Sequence, residues 1–299
     1  MKRIALISEH ASPLAAIGGV DSGGQNIYVA HVARQLARMG HAVDVFTRRE
    51  EPVTADIVSP GDEVRVIHVP AGPARMLPKE QLLPHMPAFS RWLIAFCRQQ
   101  QRGHRRYDVM HANFFMSGMA ALEARRVLGT PVVMTFHALG KVRRLHQGGS
   151  DGFPDERFAI EEELVRRCDR IVAECPQDRD DLIAHYRAEV DRVDIVPCGF
   201  DASEFFPVNR QAARSALGWD ANAWSVLQLG RLVPRKGIDN VIRGIAAMRR
   251  QGAPARLYIV GGNCELPNEE ATPEIARLRA VAREAGVEDS VLFVGRRGR

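Results

Sequence analysis

The sequence predicts an α/β protein built from two doubly wound parallel-sheet domains, the second of them incomplete. Three observations carry this prediction. Short runs rich in Val and Ile, typical of buried strands, alternate with stretches whose apolar residues recur at helical spacing. The alternation breaks over residues 198–209 and then resumes. The length of 299 residues also suits two domains of about 150 residues each.

The first series of elements makes residues 1–200 an N-terminal Rossmann-like domain. Its predicted strands cover residues 3–8, 42–47, 64–69, 107–111, 132–136, 170–173 and 193–196. The apolar spacing between them predicts helices over residues 24–38, 82–99, 117–127 and 155–167. Alternating strands and helices form a parallel sheet with helices on both faces.

The second series makes residues 201–299 a partial C-terminal Rossmann-like domain. Strands are predicted over residues 224–229, 256–260 and 291–294, with helices over 238–250 and 273–285. Three strands and two helices are few for a doubly wound domain. We therefore expect apolar helix faces to be left exposed over residues 238–248 and 275–281.

Composition excludes several functional classes. The net charge of +5 is spread along the chain without basic runs interleaved with aromatic residues, so nucleic acid is not an expected partner. No apolar run reaches the roughly 18 residues of a membrane span, which leaves only peripheral membrane contact open. The five cysteines form no C-x-x-C pair, and the first residues form a strand and not a signal peptide. We expect a cytoplasmic protein with reduced thiols and without a metal or other cofactor.

A glycine-rich loop follows the first predicted strand and runs into a helix. It reads DSGGQNIYV over residues 21–29. Gly23 and Gly24 would let backbone N–H groups approach a diphosphate at the helix N-terminus. The alternative is a flexible turn. The loop has no G-x-G-x-x-G pattern, and Asp44 lies inside a strand and not at its end, so the sequence gives only weak support for nicotinamide binding.

A basic loop opens the second series. It reads GRLVPRKG over residues 230–237 and leads into the helix predicted from residue 238. Arg231, Arg235 and Lys236 crowd a helix N-terminus, where cations oppose the helix dipole unless an anion shares the site. Arginine and lysine together suit a diphosphate. A solvated basic turn is the alternative.

These motifs together resemble those of the family 4 retaining glycosyltransferases, which have the GT-B fold. GRLVPRKG resembles the family's donor-phosphate motif, and DSGGQNIYV resembles its sucrose-phosphate-synthase-like and mycothiol-type members. HANFFMSG at 111–118, TFHALG at 135–140 and VPCGFD at 196–201 are similar to the same group. The resemblance covers nearly the whole chain in the right order.

The resemblance implies transfer of a hexosyl unit from a nucleotide-sugar to an acceptor, with retention at the anomeric carbon and no metal. The acceptor would be a sugar, a sugar phosphate or a similar small molecule. Arg231 and Lys236 would hold the donor diphosphate and stabilise the leaving group. Gly23 and Gly24 would lie near the same phosphates, and His137 would sit beside the transferred sugar as a third catalytic residue.

The acceptor side is predicted at the N-terminal domain. Gln25 and Asn26 open its first helix, and Lys141 and Arg144 lie in a long basic stretch over residues 138–154. This stretch either orders over the acceptor, pairing with an acceptor phosphate, or is a mobile basic loop.

One departure from the family pattern bears on activity. The family's E-x7-E pair, which contacts the donor sugar and ribose, is not found before Arg299, and Glu161, Glu162 and Glu163 are interpreted as a solvated helix face. We therefore expect part of the donor pocket to be missing, so that this chain is either an inactive fragment of a longer enzyme or a protein that cannot turn over efficiently. The alternatives are a non-catalytic ligand-binding module and a nucleotide-sugar epimerase of GT-B-like fold.

Overall fold

The computed structural model describes residues 1–15, 23–61 and 63–298, and these form two compact units. Residues 1–15 and 23–199 belong to the first unit, and residues 200–298 belong to the second. The division falls one residue before the domain boundary predicted from the sequence.

The first unit is built on an eight-stranded sheet. In spatial order the sheet runs β3-β4-β2-β1-β5-β6-β7-β8, and its neighbouring strands are parallel except that β3 pairs antiparallel with β4. The strands are β1 Arg3–Ile7, β2 Ala42–Arg48, β3 Ile57–Gly61, β4 Val64–Val69, β5 Val109–Asn113, β6 Val132–Thr135, β7 Arg170–Ala173 and β8 Val193–Ile195. Chain order reverses between β1 and β5.

Helices cover both faces of this sheet. They are α1 Gly24–Arg38, α2 Met86–Arg102, α3 Phe115–Leu128, α4 Gly140–Gln147, α5 Glu156–Arg167 and α6 Pro176–Tyr186. Ile4 and Leu6 of β1 pack in one apolar cluster with α1, whereas Ala5 and Ile7 pack in another with α2 and α3. This alternation of side chains explains why buried parallel strands are apolar throughout.

Three elements of the first unit were not predicted. Strand β3 is short and mostly exposed, so it lacks the apolar pattern of a buried strand. Helix α6 begins with the polar run Pro-Gln-Asp-Arg-Asp-Asp and has few apolar residues to reveal it. Helix α4 occupies the stretch that was interpreted as a basic loop.

The second unit has a three-stranded parallel sheet in the order β11-β10-β9. Its elements are α7 Arg210–Leu217, β9 Trp224–Leu229, α8 Ile238–Arg250, β10 Ala255–Val260, α9 Glu274–Glu284 and β11 Val291–Gly295. The predicted α/β class, with two parallel-sheet units, is confirmed. No helix within the described parts of the chain has the length and apolar character needed to cross a bilayer.

The expectation of exposed apolar faces on the two long helices of this unit is wrong. Ile238 and Ile242 of α8 are buried, as are Ile275 and Leu278 of α9. Both helices pack onto one side of the sheet around Leu257, which leaves their apolar faces covered. Exposed apolar residues of the unit lie instead on β9 and β11, at the end of α7, and in segments outside the helices and strands.

Strand β9 is an end strand of this sheet and carries part of that exposed apolar surface. Trp224, Leu227 and Leu229 are 56%, 53% and 69% exposed. An apolar edge strand is a template for pairing with another chain. We therefore expect the 299-residue chain to self-associate as its concentration rises.

Leu229→Lys should weaken that association with little change in the free energy of unfolding. The side chain has few contacts to lose, and exposed substitutions cost less than about 0.5 kcal/mol. Sedimentation velocity over a range of concentrations checks the first effect, and urea unfolding checks the second. Ser215→Lys on the exposed surface of α7 adds the same charge and serves as the control. Equal association of both variants would contradict a role for the β9 edge.

Candidate functional site

Polar side chains gather at the carboxyl edge of the eight-stranded sheet. Doubly wound sheets bind ligands outside this edge where strand order reverses, here between β1 and β5. Glu9 and His10 follow β1, and Asn113 ends β5. His137 and Glu174 follow the next two strands, β6 and β7.

His137 has both ring nitrogens in hydrogen bonds. Its Nδ1 lies 3.0 Å from Oε1 of Glu174, and its Nε2 lies 3.0 Å from Oδ1 of Asn113. The amide nitrogen of Asn113 is 3.4 Å from the carbonyl oxygens of both Ile7 and His111, so its oxygen is the atom turned toward the ring. Each ring nitrogen of His137 therefore faces a side-chain oxygen, one from Glu174 and one from Asn113.

Two residues at this edge have strained backbones. His137 has φ +58° and Phe114 has φ +80°, both in the left-handed region that non-glycine residues rarely adopt. Each such conformation costs about 1–3 kcal/mol and persists only where the surrounding structure imposes it. Phe114 directly follows β5 and His137 lies two residues after the end of β6, so the surrounding packing holds both side chains at the strand ends.

Glu174 was missed by the sequence interpretation because nothing local distinguishes it. Burial acts to raise the pKa of its carboxyl, but the hydrogen bond and positive charge of His137 outweigh burial and leave the pKa below its usual value. The Cys198 thiol donates a hydrogen bond to the same Oε1 at 3.3 Å. Partial burial and the charge of Glu174 raise the pKa of Cys198 to about 11, so this thiol remains a donor.

Three further side chains, those of Tyr28, Thr135 and His111, form a connected group next to His137. The ring of Tyr28 stands edge-on to His137 at 4.8 Å between centroids, and its hydroxyl bonds Thr135. Thr135 Oγ1 lies 2.9 Å from Nε2 of His111. Burial first, and then the charge of His137, lower the pKa of His111 to about 4. His111 is therefore neutral at physiological pH.

A buried carboxylate lies at the end of β1. Glu9 is 1% exposed, and its two carboxylate oxygens accept hydrogen bonds from different donors. The Ser117 hydroxyl donates to Oε2, and His10 Nδ1 lies 2.7 Å from Oε1. The ring of His10 packs edge-on against Phe114 at 4.9 Å between centroids.

The predicted phosphate loop is described from Gly23 onward, and its residues 17–22 lie outside the described residues. Neither Gly23 nor Gly24 has another described residue within 4 Å of the place where a Cβ would sit, so no described side chain covers that side of either glycine. The side chain of Gln25 reaches the carboxyl end of β1, where the strand order reverses, and its Nε2 lies 3.4 Å from Ser8 Oγ. Asn26 serves the fold: its Oδ1 accepts from the Gly23 N–H, and its Nδ2 donates to the carbonyl of Ser12.

The two predicted acceptor cations lie on α4, and both are engaged within their own unit. Lys141 Nζ donates to Glu162 at 2.5 Å and to the carbonyl of His185 at 2.8 Å. Arg144 donates to Asp155 at 2.8 Å. The interpretation as a basic loop is corrected for residues 140–147, which form helix α4 and are anchored by these pairs. A role for Lys141 or Arg144 in acceptor binding stays a prediction. To bind an acceptor, either side chain would have to exchange its present partner in the protein for a group of the acceptor.

Glu161 corrects another expectation. It was interpreted as part of a solvated face, but it is fully buried against Arg157, whose Nε donates to it at 2.7 Å. Glu161 also accepts from Gly140 N–H at 2.9 Å and from the Tyr186 hydroxyl. Arg157 donates to the carbonyl of Ala138 at 2.5 Å.

This ion pair clamps the backbone immediately after His137. A Cβ on Gly140 would come within 2.9 Å of both Arg157 Nε and Glu161 Oε2, so only glycine fits there. Three aromatic rings surround the guanidinium at 4.7–5.0 Å, those of Phe114, Phe115 and Phe153. The buried pair and the strained edge therefore form one packed unit.

In the second unit the basic turn forms as its sequence suggests. Arg231 and Lys236 lie between β9 and α8, the latter in a 3-10 turn at Pro234–Lys236. Gly237 has φ +62° and starts the helix from the left-handed conformation. Lys236 is exposed, and its ammonium makes no ion pair or hydrogen bond with the part of the chain that the structure describes.

The strand ends beside this turn approach each other very closely. A Cβ on Gly261 would lie 2.0 Å from the carbonyl oxygen of Gly230, and both glycines have positive φ. Because Gly230 and Gly261 have no side chains, the backbone at these strand ends lies beside the basic turn and the N-terminus of α8. This combination is typical of an anion-binding site.

Comparison with known families gives a direct assignment. The model of Glycosyltransferase Family 4 matches residues 22–204, and that of Glycosyl transferases group 1 matches residues 209–299. This chain belongs to glycosyltransferase family 4. The predicted family and glycosyltransferase class are confirmed.

The relatives of this glycosyltransferase agree. It is 37% identical over 307 residues to a D-inositol 3-phosphate glycosyltransferase of Actinosynnema mirum, covering 100% of this chain and 71% of the relative. It is also 37% identical over 299 residues to the enzyme of that name from Acidothermus cellulolyticus, covering 98% of this chain and 65% of the relative. The chain thus spans about two thirds of the length of these relatives.

Solved structures confirm the GT-B fold. Sucrose-phosphate synthase from Thermosynechococcus elongatus matches with a TM-score of 0.85 and 29% identity, covering 100% of this chain and 71% of that one. HepE from Anabaena, solved with UDP and glucose, shares the fold with a TM-score of 0.64 and 17% identity. The match covers 100% of this chain and 70% of HepE. The individual roles predicted for Arg231, Lys236, His137, Gly23 and Gly24 remain predictions.

Proposed function

We propose that this glycosyltransferase moves a hexosyl unit from a nucleotide-sugar to a hydroxyl of a sugar or polyol acceptor, with retention at the anomeric carbon. The observation that carries the proposal is the basic turn between β9 and α8. Breaking a glycosyl–phosphate bond builds negative charge on the departing diphosphate. Fixed cations are worth most at such a place, because they stabilise the transition state more than the substrate.

Lys236 and Arg231 are the groups assigned to that leaving diphosphate. The exposed ammonium of Lys236 lies one residue before Gly237, where the helix N-terminus adds positive potential. Arg231 brings a planar fork of donors that suits phosphate oxygens. Because these cations can carry the charge by themselves, we propose that transfer needs no metal.

The names of the relatives support a phosphorylated acceptor. A D-inositol 3-phosphate glycosyltransferase and a sucrose-phosphate synthase both bear the name of a phosphorylated substrate or product. The acceptor would bind at the carboxyl edge of the first unit, near Gln25 and Asn113. The five free cysteines fit a reducing compartment, so the cytoplasmic location belongs to the same proposal.

Transfer should be measurable with the natural full-length protein. UDP-, GDP- and ADP-linked hexoses are each paired with D-inositol 3-phosphate, fructose 6-phosphate, myo-inositol or fructose, and release of the nucleoside diphosphate is followed. We expect one donor to react in the presence of an acceptor, and proton NMR to show the donor's anomeric configuration in the product. EDTA should change the rate by less than about twofold.

Each part of the proposal has its own contrary result. No nucleoside diphosphate release with any pair would contradict transfer, and an inverted product would contradict retention. A large loss of rate in EDTA, restored by a divalent cation, would contradict independence from metal. A preference for myo-inositol or fructose over the phosphorylated compounds would contradict a phosphorylated acceptor.

A further inference from the structure

His10 lies at the point of the sheet where a ligand is expected, and it is held there by a buried acid. It follows β1, the strand beside the reversal of chain order. Its Nδ1 faces Oε1 of Glu9 at 2.7 Å, and the Ser117 hydroxyl occupies the other carboxylate oxygen. Glu9 is further fixed because its backbone N–H donates to Ser117 Oγ at 3.1 Å.

The buried acid determines which nitrogen of His10 bears the proton. An ionised carboxylate only accepts hydrogen bonds, so Nδ1 is the protonated nitrogen and donates to Glu9. In the neutral imidazole Nε2 is then an acceptor, and the ring geometry turns it away from Glu9. An acidic partner that orients a histidine in this way is a common arrangement where the other nitrogen meets a substrate.

The second nitrogen of His10 has no hydrogen-bond partner in residues 1–15, 23–61 and 63–298. Its side chain is 10% exposed, so the ring is held in place but still reached by solvent. The strained Phe114 packs against one side. Nearby, Ser8 Oγ receives a hydrogen bond from Gln25, whose amide also reaches the carbonyl of Asn113 at 3.4 Å.

His137 differs from His10 in this respect. Both of its nitrogens already face Glu174 and Asn113, so its side chain must give up a partner before it can bond a substrate. His10 can accept a hydrogen bond at Nε2 without losing its bond to Glu9. The apolar ring of Phe114 and the amide of Gln25 lie in the same region of the sheet edge. Such a combination suits a sugar or cyclitol, which presents both C–H faces and hydroxyl groups.

We infer that Nε2 of His10 accepts a hydrogen bond from a hydroxyl group of the acceptor and thereby positions that acceptor. The inference rests on the proposed transfer function and adds a binding residue to it. Glu9 is a positioning residue, because it acts only through the tautomer and orientation of His10.

Two substitutions separate the two nitrogens of His10. In His10→Asn the amide nitrogen falls near the position of Nδ1, so the bond to Glu9 can persist while Nε2 is lost. In His10→Gln the longer side chain brings an amide oxygen near the position of Nε2. We expect kcat/KM for the acceptor to fall by about tenfold or more in His10→Asn and to recover in part in His10→Gln.

The assay uses the full-length protein with UDP-glucose or whichever donor the wild type accepts, and it follows both substrates. The KM for the donor and the slow release of nucleoside diphosphate without acceptor should stay within about twofold of wild type. His104→Asn is the matched control, because His104 is exposed and lies before β5 at the opposite edge of the sheet. It should leave all these constants unchanged.

The outcomes distinguish this inference from the proposed function. Wild-type acceptor kinetics in His10→Asn would overturn the inference while transfer itself stands. A parallel loss of donor and acceptor constants, with a lower Tm, would show that His10 is structural and would also overturn it. Absence of transfer by the wild type would remove the proposed function, and the inference with it.

Discussion

Alanine at Lys236 or at Arg231 is expected to lower kcat/KM of the full-length protein by about 30- to 1,000-fold. In the proposed function each substitution removes a cation from the departing diphosphate, and the loss of one such donor costs about 2–4 kcal/mol in the transition state. The fold should change little. Lys236 is exposed, and its ammonium makes no ion pair or hydrogen bond within the described residues.

Steady-state kinetics with the accepted donor tests this directly. We expect kcat to fall more than the KM for the donor rises, because the charge on the diphosphate grows as the bond breaks. Arg250→Ala is the control, since it removes an exposed cation from the far end of the same helix, α8. Near wild-type kcat/KM in both variants would show that the turn does not carry the leaving group.

Arg157→Met is expected to destabilise the protein by about 3–5 kcal/mol, because it leaves the buried carboxylate of Glu161 without its counter-charge. Arg157 and Glu161 are both fully buried, with Nε and Oε1 2.7 Å apart. Arg167→Met is the matched control. Its partner Glu163 is at the same spacing on the same helix, but that pair is exposed, so the loss should stay below about 1 kcal/mol.

The loss in Arg157→Met should shrink as the pH falls. Burial already raises the pKa of Glu161 in the wild type, and Arg157 is the main group that counteracts it. Without Arg157 the folded state favours protonated Glu161 more than the unfolded state does, so the folded state gains stability as protons become available. Urea unfolding of wild type and both variants at pH 5 and pH 7.5 measures this. A loss equal to that of Arg167→Met, or a pH-independent loss, would contradict the burial argument.

The double variant Arg157→Met, Glu161→Leu separates the buried charge from the clamp. It should recover much of the lost stability, because replacing both partners of a buried pair with apolar residues is often nearly neutral. The backbone after His137 would still lose its bonds from Arg157 to Ala138 and from Gly140 to Glu161. Recovered stability with lowered kcat would assign the pair to holding His137.

The amino-acid sequence by itself determined the fold class and the basic turn. Both depend on patterns over a few consecutive residues. Strand β9 and helix α8 were predicted with the bounds that the structure has, because apolar periodicity and Gly237 mark them locally. Arg231 and Lys236 were found in the same way, as cations next to a helix start.

Only the tertiary structure decided which polar side chains meet at the edge of the large sheet. Ser117 reaches Glu9 across 108 positions in the sequence, and Glu174 reaches His137 across 37. A hydrogen bond between such residues depends on which strands are neighbours in the sheet, and the pattern of a few consecutive residues does not predict that. Burial is equally non-local: Glu161 is enclosed and Glu163 is exposed on one helix, because only the former faces Tyr186 and the backbone of Gly140.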